Sequence, residues 1–480
     1  MKFLTSDQIY DIHLATLDVL EHTGVNVYES AAFNLLKDSG ANVDEKKMLV
    51  KIPPYLVEEA IRKSPRGFTL YARDPKYNLR IDDRRVYFEP MIGRINIIDL
   101  ETGIRRRTTL KDLEALMKLA NALEYYHILH SGAMMPHIEG VPDSVAHAYG
   151  YLAGVRNAEK VVKGTGRGKD KARDCIRMAT VLAGDEEELI KKPNIFTTCN
   201  PISPLQHGKE QTEGIIEYGK HKLPVDIASE PQAGATAPIT LAGLLVQQNA
   251  EVLSGITIAQ LANPGTPVVY GTCGTIMDMR SALIALGTIE TGLINVATAQ
   301  ISQYYGLPSR GTGGATESKI LDIQAGYEKA LTLLMAGLAG INMVFYPGVL
   351  EHALTICYEA LVIDNEICGM IHRVLHGIDV EDATLATDLI NKVGPGGHYL
   401  RERHTIKYLE KEQYMPKLSD RQTREIWEER GSKDLRDVAK ERVRAILKEH
   451  QPTPLDKDAE EMLMKVLKEI EERELKIKLR

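Results

Sequence analysis

The chain has 480 residues, 44% of them apolar and 26% charged, which is typical of a folded globular protein and excludes a disordered, collagen-like or coiled-coil chain. With 59 Lys and Arg against 66 Asp and Glu, the formal net charge is -7. This mildly acidic balance argues against nucleic acid or an anionic membrane surface as the main partner.

The start of the chain lacks a signal-peptide core, and no uncharged apolar run reaches membrane-spanning length. The cysteines are few, far apart and form no C-x-x-C motif: Cys175, Cys199, Cys273, Cys357 and Cys368. Such a sparse, odd set predicts no disulfide framework and favours a reducing compartment. We therefore expect a cytoplasmic protein without a membrane segment.

Residues 1–124 predict helices followed by a small antiparallel sheet. Residues 5–65 show roughly helical spacing of apolar side chains, opened by a capping-box pattern at Thr5. From about 68 to 109, short alternating stretches such as Arg85–Phe88 have the pattern of antiparallel strands.

Residues 125–404 repeat a rhythm of short apolar run, polar loop and long helical stretch, which indicates βα units and a parallel sheet. Seven strands are predicted: His127–His130, Lys160–Lys163, Asn194–Thr197, Val225–Ala228, Pro267–Tyr270, Leu307–Arg310 and Asn342–Tyr346. An eighth strand is not placed by the pattern, so a closed barrel and a doubly wound open sheet both fit. The more charged residues 405–480 predict a helical extension ending in an amphipathic helix.

Polar side chains follow several of these strands, at the carboxyl edge where α/β folds assemble their sites. The candidates for binding and catalysis are Asn200, Glu230, Gln232, Tyr270, Thr272, Arg310, Gly314, Tyr346, Glu351 and His352. Each has a structural alternative, since Asn200 could be a turn residue, Glu230 a helix cap and Arg310 a buried ion-pair partner. Together they predict one site.

Sharper motifs are missing. The stretch 164–170 lacks P-loop spacing, and the glycine-rich loops 311–314 and 394–397 lack the dinucleotide fingerprint. His and Cys residues show no metal-ligand spacing, so no metal site is predicted.

Several stretches, taken in chain order, resemble the trimethylamine methyltransferase family of corrinoid-dependent methyltransferases. They are Asp99–Gly103, Cys199–Pro204, Gly234–Gly243 with Gln247–Glu251, Glu317–Lys319 with Asp322–Gly326, and Leu361–Asn365. The resemblance implies a (β/α)8 barrel that passes a methyl group to the Co(I) corrinoid of a separate small protein. It also implies that no cofactor is bound permanently.

Trimethylamine enzymes of this family carry pyrrolysine in the loop after the sixth predicted strand, where alignment on Lys319 places Ala315. Alanine cannot form the electrophilic adduct attributed to pyrrolysine, so the resemblance points to the pyrrolysine-free relatives and to a quaternary amine such as a betaine. We include Ala315 among the substrate-binding candidates. Demethylation of methoxylated aromatics is the alternative within the family.

The two donor classes need different groups around the methyl. A quaternary ammonium leaves as a neutral amine, and suits aromatic faces or a carboxylate such as Glu230, with Arg310 holding a donor carboxylate. An aryl methyl ether leaves as a phenolate and needs an acid, for which Glu351, His352 and Glu230 are the candidates.

The corrinoid is expected to arrive on a partner protein, because this chain lacks the corrinoid-binding motif Asp-x-His-x-x-Gly. The stretch 11–16 is similar to that motif, but it ends in Thr instead of Gly and lies on a predicted helix. The partner would dock over the barrel mouth, with the basic run 105–107 as a candidate contact. Chain length favours a homo-oligomer. Two other classes stay open: a barrel lyase or isomerase for phosphorylated substrates, using loop 311–314 as an anion nest, and a non-catalytic barrel.

Overall fold

Eight parallel strands form the centre of the protein in the computed structural model, which describes residues 1–82, 85–131 and 138–478. The strands are β1 (Tyr87–Glu89), β2 (Ile128–His130), β3 (Val161–Lys163), β4 (Thr197–Cys199), β5 (Val225–Ser229), β6 (Val268–Thr272), β7 (Ser309–Thr312) and β8 (Met343–Phe345). Strands β4 to β8 pair in parallel in chain order, β8 pairs with β1, and β2 pairs with β3. A parallel bridge joins Phe88 to Tyr126, and the Gly164 amide donates to the Phe196 carbonyl at 3.1 Å. The ring is therefore closed.

A helix follows each strand and returns the chain to the start of the next one. These helices are α1 (Leu110–Ala122), α2 (Ala146–Arg156), α3 (Lys169–Ala183), α4 (Lys209–Lys220), α5 (Leu241–Ala262), α6 (Ile289–Tyr305), α7 (Ile323–Ala339) and α8 (Tyr358–His376). A short helix, Glu186–Lys191, follows α3. The predicted (β/α)8 barrel is confirmed, and the open doubly wound sheet is wrong.

Strand β1 is the strand that the sequence pattern did not place. The prediction that Arg85–Phe88 belongs to an antiparallel sheet is wrong, because Tyr87–Glu89 pairs in parallel with β8. The strand is only three residues long and carries the fully buried Glu89, so it lacks the apolar run that marks a barrel strand. The barrel thus begins before residue 125, which is the boundary that the sequence pattern predicts.

The N-terminal residues form a small α/β layer rather than helices alone. Its helices are Ser6–Asp18, Ser30–Asp38 and Pro54–Lys63, with a π-helical turn at Val19–Thr23. Its strands, Val25–Val27, Asn42–Asp44 and Leu49–Lys51, form a sheet with Gln206–His207 from the loop after β4. All three helices pack on α5, which explains why that long helix is apolar and buried.

The two ends of the barrel are closed differently. A hairpin, Phe68–Leu70 and Leu79–Ile81 joined through the turn Pro75–Tyr77, packs its apolar side chains on residues at the amino ends of the strands. At the carboxyl end, the βα loops form two small sheets instead. One consists of Val349–Leu350, Thr355–Cys357, Asn96–Ile98 and Arg105–Arg107, and the other of Gln232–Ala233, Thr275–Asp278 and Leu283–Ala285.

The C-terminal region is helical. Its helices are Asp382–Leu385, Thr387–Val393, Arg403–Glu412, Arg424–Glu429, Leu435–Glu449 and Lys457–Lys478. The last of these is amphipathic and packs on α3 and α2. All five cysteines are buried and free. Within the described part of the chain, no helix is long and apolar enough to cross a membrane.

Candidate functional site

A cavity of about 290 Å³ opens at the carboxyl ends of the barrel strands. Its polar lining consists of Arg94, His130, Lys163, Thr198, Asn200, Glu230, Cys273 and Arg310. Its apolar lining is Met91, Ile95, Phe345 and Tyr346, with Gly93 at one edge. The position and size suit a small ligand, since barrel enzymes use this face for chemistry.

The structure brings four of the predicted site residues together in this cavity: Asn200, Glu230, Arg310 and Tyr346. Tyr270 and Thr272 instead bond to helix α5, because the Tyr270 hydroxyl donates to Asn249 Oδ1 at 2.9 Å and Thr272 Oγ1 to Gln248 Oε1. Their side chains therefore face the helix layer and not the cavity.

The remaining five predicted residues also lie outside the cavity lining. Gln232 begins a strand of the small sheet above it, and Gly314 and Ala315 are buried in the loop after β7. Glu351 forms an ion pair with Arg105 at 2.8 Å, and His352 Nδ1 donates to the Ile284 carbonyl at 2.8 Å.

A network of four buried charges forms the cavity floor. Arg310 lies 3.3 Å from both Glu89 and Asp226, and Lys163 Nζ lies 3.0 Å from Glu89. Burial alone would raise the pKa of Glu89, but Lys163 and Arg310 outweigh it and hold the pKa at about 2. Burial raises the pKa of Asp226, with Arg310 opposing, and lowers that of Lys163. The charge of Arg310 is thus already compensated within the protein.

Glu230 differs from these floor carboxylates because it faces the open mouth of the cavity. Its Oε1 accepts a hydrogen bond from Asn200 Nδ2 at 3.0 Å, and no cationic group of a described residue pairs with it. The side chain is accessible from the mouth, but the surrounding cavity walls desolvate the carboxyl and raise its pKa, although Arg310 and Arg94 oppose the shift.

Arg94 is a cavity residue that sequence reasoning missed, because it lies in the loop after the unplaced strand β1. Its Nη1 approaches Met91 Sδ at 3.3 Å, whereas its Nε is buried without a hydrogen-bond partner. Burial lowers the pKa of Arg94, and Tyr346 and Glu230 oppose that shift. The described residues offer this guanidinium no carboxylate within ion-pair distance.

An aromatic wall stands beside these charges. The rings of Phe345 and Tyr346 stack with centroids 4.6 Å apart, and the Arg310 guanidinium lies 4.1 Å from the Phe345 centroid. Tyr346 has φ of 104°, a strained conformation for a bulky side chain, of the kind that folds maintain at functional sites.

The other titratable groups lining the cavity are neutral. Burial, together with Lys163, lowers the pKa of His130 to about 3, so its imidazole is uncharged at neutral pH. Burial also raises the pKa of Cys273 to about 12. The described residues include no group of three or more His, Cys, Asp or Glu side chains placed to hold a metal ion.

Comparison with known proteins gives a consistent result. A family model described as trimethylamine methyltransferase matches residues 1–474. A glycine betaine methyltransferase from Desulfitobacterium hafniense (strain Y51) is 36% identical over 463 residues, which is 96% of this chain and 95% of that protein. A trimethylamine methyltransferase from D. hafniense (strain DSM 10664 / DCB-2) is 36% identical over 98% of this chain and 94% of its own length. The solved Methanosarcina barkeri monomethylamine methyltransferase shares the fold at 12% identity, with a TM-score of 0.53 over 94% of this chain and 89% of that chain.

Proposed function

Because the chain belongs to the trimethylamine methyltransferase family and is a methyltransferase, we propose that it demethylates a small quaternary amine, preferably a betaine. The methyl acceptor is the Co(I) corrinoid of a separate partner protein. Similarity to a protein named glycine betaine methyltransferase supports the betaine. The lyase, isomerase and non-catalytic alternatives are set aside, since the family transfers methyl groups.

One observation carries the choice of a cationic donor: the Glu230 carboxylate faces the cavity without a cationic partner among the described residues, next to the wall of Phe345 and Tyr346. A quaternary ammonium has no N–H to donate, so it is bound by charge attraction and by aromatic faces. Glu230 and the wall supply both.

The corrinoid supplies the nucleophile that accepts the methyl group. The C–N bond breaks with its electron pair staying on nitrogen, so a neutral tertiary amine leaves and no proton is needed. The residues of this chain then have to hold one methyl group in line with the acceptor and exclude water from the cavity. The side chain of Ala315 is buried outside the cavity lining and offers no electrophile, which supports a donor that needs no activation.

The proposal is tested by anaerobic methyl transfer to Co(I) cobalamin, followed by absorbance. The donors are trimethylamine, glycine betaine, carnitine, proline betaine and a methoxybenzoate. Conversion of a betaine supports the proposal. If no quaternary amine is converted, even with the cognate corrinoid protein, the proposed donor class is wrong.

Demethylation of a methoxylated aromatic is the second candidate, and the raised pKa of Glu230 favours it. A carboxyl group that keeps its proton to a higher pH could protonate a leaving phenolate. Conversion of the methoxybenzoate alone would select this reaction. The homo-oligomer stays a prediction from chain length.

A further inference from the structure

We propose that Arg94 binds a carboxylate of the methyl donor and so selects acidic donors against uncharged or purely cationic ones. This role rests on the proposed function for methyl transfer from a small donor, and it holds whether nitrogen or oxygen carries the methyl group. It assigns a specificity role to a residue in the loop after β1.

Among the described residues, three cationic side chains line the cavity, and two of them are paired with buried carboxylates. Arg310 and Lys163 share the buried carboxylates of Glu89 and Asp226, all four groups being almost completely buried. A donor carboxylate placed against Arg310 would add a third negative charge to a balanced network. The sequence-based expectation that Arg310 binds the donor carboxylate is therefore replaced.

Arg94 has the opposite properties. A guanidinium has five N–H donors in a planar fork, suited to two parallel hydrogen bonds to a carboxylate. In the free protein, Nη1 meets only the weak acceptor Sδ of Met91, and Nε is buried without a partner. The Arg94 side chain lines the cavity without a carboxylate partner among the described residues, so an anionic ligand there forms charge-assisted hydrogen bonds that the protein itself does not supply.

The position of Glu230 indicates how the donor is oriented. Glu230 and Arg94 each influence the pKa of the other, yet they form no direct ion pair. Both residues line the same 290 Å³ cavity. A small zwitterion fills this space with its ammonium toward Glu230 and its carboxylate toward Arg94.

The test uses four donors that vary the methyl-bearing atom and the carboxylate independently. Glycine betaine and choline are quaternary amines with and without a carboxylate. 4-Methoxybenzoate and anisole are aryl methyl ethers with and without one. Wild type, Arg94→Gln and Arg94→Lys are compared for methyl transfer with the cognate corrinoid protein, and for donor binding by calorimetry.

Whether the wild-type protein demethylates quaternary amines or aryl methyl ethers, we expect it to prefer the donor of that pair that carries a carboxylate. Loss of a charge-assisted bidentate contact should raise KM for that donor about 100-fold in Arg94→Gln, with kcat changed less. The carboxylate-free member should be unaffected, and Arg94→Lys should recover part of the loss. Because Arg94 has no ion-pair partner in the described structure, we expect Arg94→Gln to keep the wild-type Tm.

Arg442→Gln is the matched control, since Arg442 is exposed on the C-terminal helix Leu435–Glu449 and makes no ion pair with any described residue. Equal losses for both members of a pair, or unchanged KM for the carboxylated donor in Arg94→Gln, would overturn the inference. If the wild-type protein converts 4-methoxybenzoate in preference to the amines, and Arg94→Gln loses this preference, Arg94 binds the donor carboxylate as proposed, but the proposed amine donor is wrong.

Discussion

Two arginines of one cavity have different roles at the scale of single residues. Arg310 is held by two carboxylates and an aromatic face, so it organises the barrel floor. Arg94 lies in the loop after β1, and its Nε–H has no hydrogen-bond acceptor among the described residues. The two arginines differ in exposure, since Arg310 is fully buried and Arg94 is half-buried, and they differ in the number of acceptors within reach.

Replacing Arg310 should mainly lower the free energy of unfolding, and affect donor binding less. Arg310→Met leaves Glu89 and Asp226 short of a counter-charge in a buried site, which costs about 3–5 kcal/mol of unfolding free energy. Arg105→Met is the control, because the Arg105–Glu351 pair is partly exposed and contributes about 1 kcal/mol at most. Thermal unfolding checks both. Equal Tm values for the two variants would contradict this role of Arg310.

Glu230 should give donor binding a pH dependence. Its raised pKa means that it becomes protonated at a higher pH than an ordinary glutamate, and affinity for a cationic donor falls as the pH drops through that pKa. Glu230→Gln should bind about tenfold more weakly, without this dependence. Calorimetry over a pH series measures it.

Glu351→Gln is the control for Glu230, since Glu351 is a carboxylate paired with Arg105 outside the cavity. We expect it to keep the wild-type pH profile and transfer rate. A comparable loss in Glu351→Gln, or in His352→Gln, would instead support the acid role that the sequence predicted for that pair.

At the scale of elements, a buried ion pair connects the last two barrel helices, α7 and α8, to the loops after β7 and β8. Lys329 Nζ of α7 lies 2.7 Å from Asp364 Oδ2 of α8 and donates to the Gly314 carbonyl at 2.7 Å. The same Asp364 oxygen accepts from the Gly348 amide at 2.6 Å. The pair therefore fixes the loops after β7 and β8.

Breaking this pair should show strong non-additivity. Lys329→Met and Asp364→Leu each leave one buried charge unpaired and should each cost about 3–5 kcal/mol. The double variant removes both charges and should be less destabilised than the sum of the single variants. Unfolding of the four proteins in denaturant measures the coupling, and additive losses would contradict it.

Close packing between α4 and the loop after β3 depends on a glycine. A Cβ added to Gly214 would lie 1.9 Å from the Gly166 carbonyl oxygen, so Gly214→Ala should destabilise by about 1–3 kcal/mol. Gly326→Ala in α7 is the control, because its Cβ would meet nothing within 4 Å. There the better helix propensity should stabilise by about 0.5–1 kcal/mol. Opposite shifts in Tm are the expected result.

At the scale of the whole molecule, exposed apolar side chains surround the barrel mouth. Four of them lie in successive βα loops, Ile202, Ile239, Met279 and Ile320, and a fifth, Ile323, is the first residue of α7. We expect the partner protein to dock on these exposed apolar side chains, because Arg105 and Arg106 of the predicted basic contact are engaged in ion pairs.

Placing charges on these exposed apolar side chains, called the rim, should weaken partner docking without changing the methyl-transfer chemistry. In the double variant Ile320→Glu, Ile323→Glu, we expect transfer to the partner corrinoid protein to fall at least about tenfold, while transfer to free cobalamin is unchanged. Ile378→Glu is the control, since Ile378 is exposed beyond the end of α8, at the opposite end of the barrel. Equal rates with the partner protein would contradict docking at the rim.

The sequence by itself determined the alternation of strands and helices after residue 125, seven barrel strands and four of the cavity residues, because these follow from local periodicity and from the position of strand ends. The capping box predicted at Thr5 is also present, with the Gln8 amide donating to Thr5 Oγ1 at 3.2 Å. Only the tertiary structure decided which charges are compensated. Glu89 and Arg310 are 221 residues apart, and their contact compensates the charge of Arg310, whereas Arg94 has no ion-pair partner among the described residues. Local sequence patterns do not encode such long-range pairings, so only the tertiary structure identified strand β1 and, among the described residues, a cavity arginine without an ion pair.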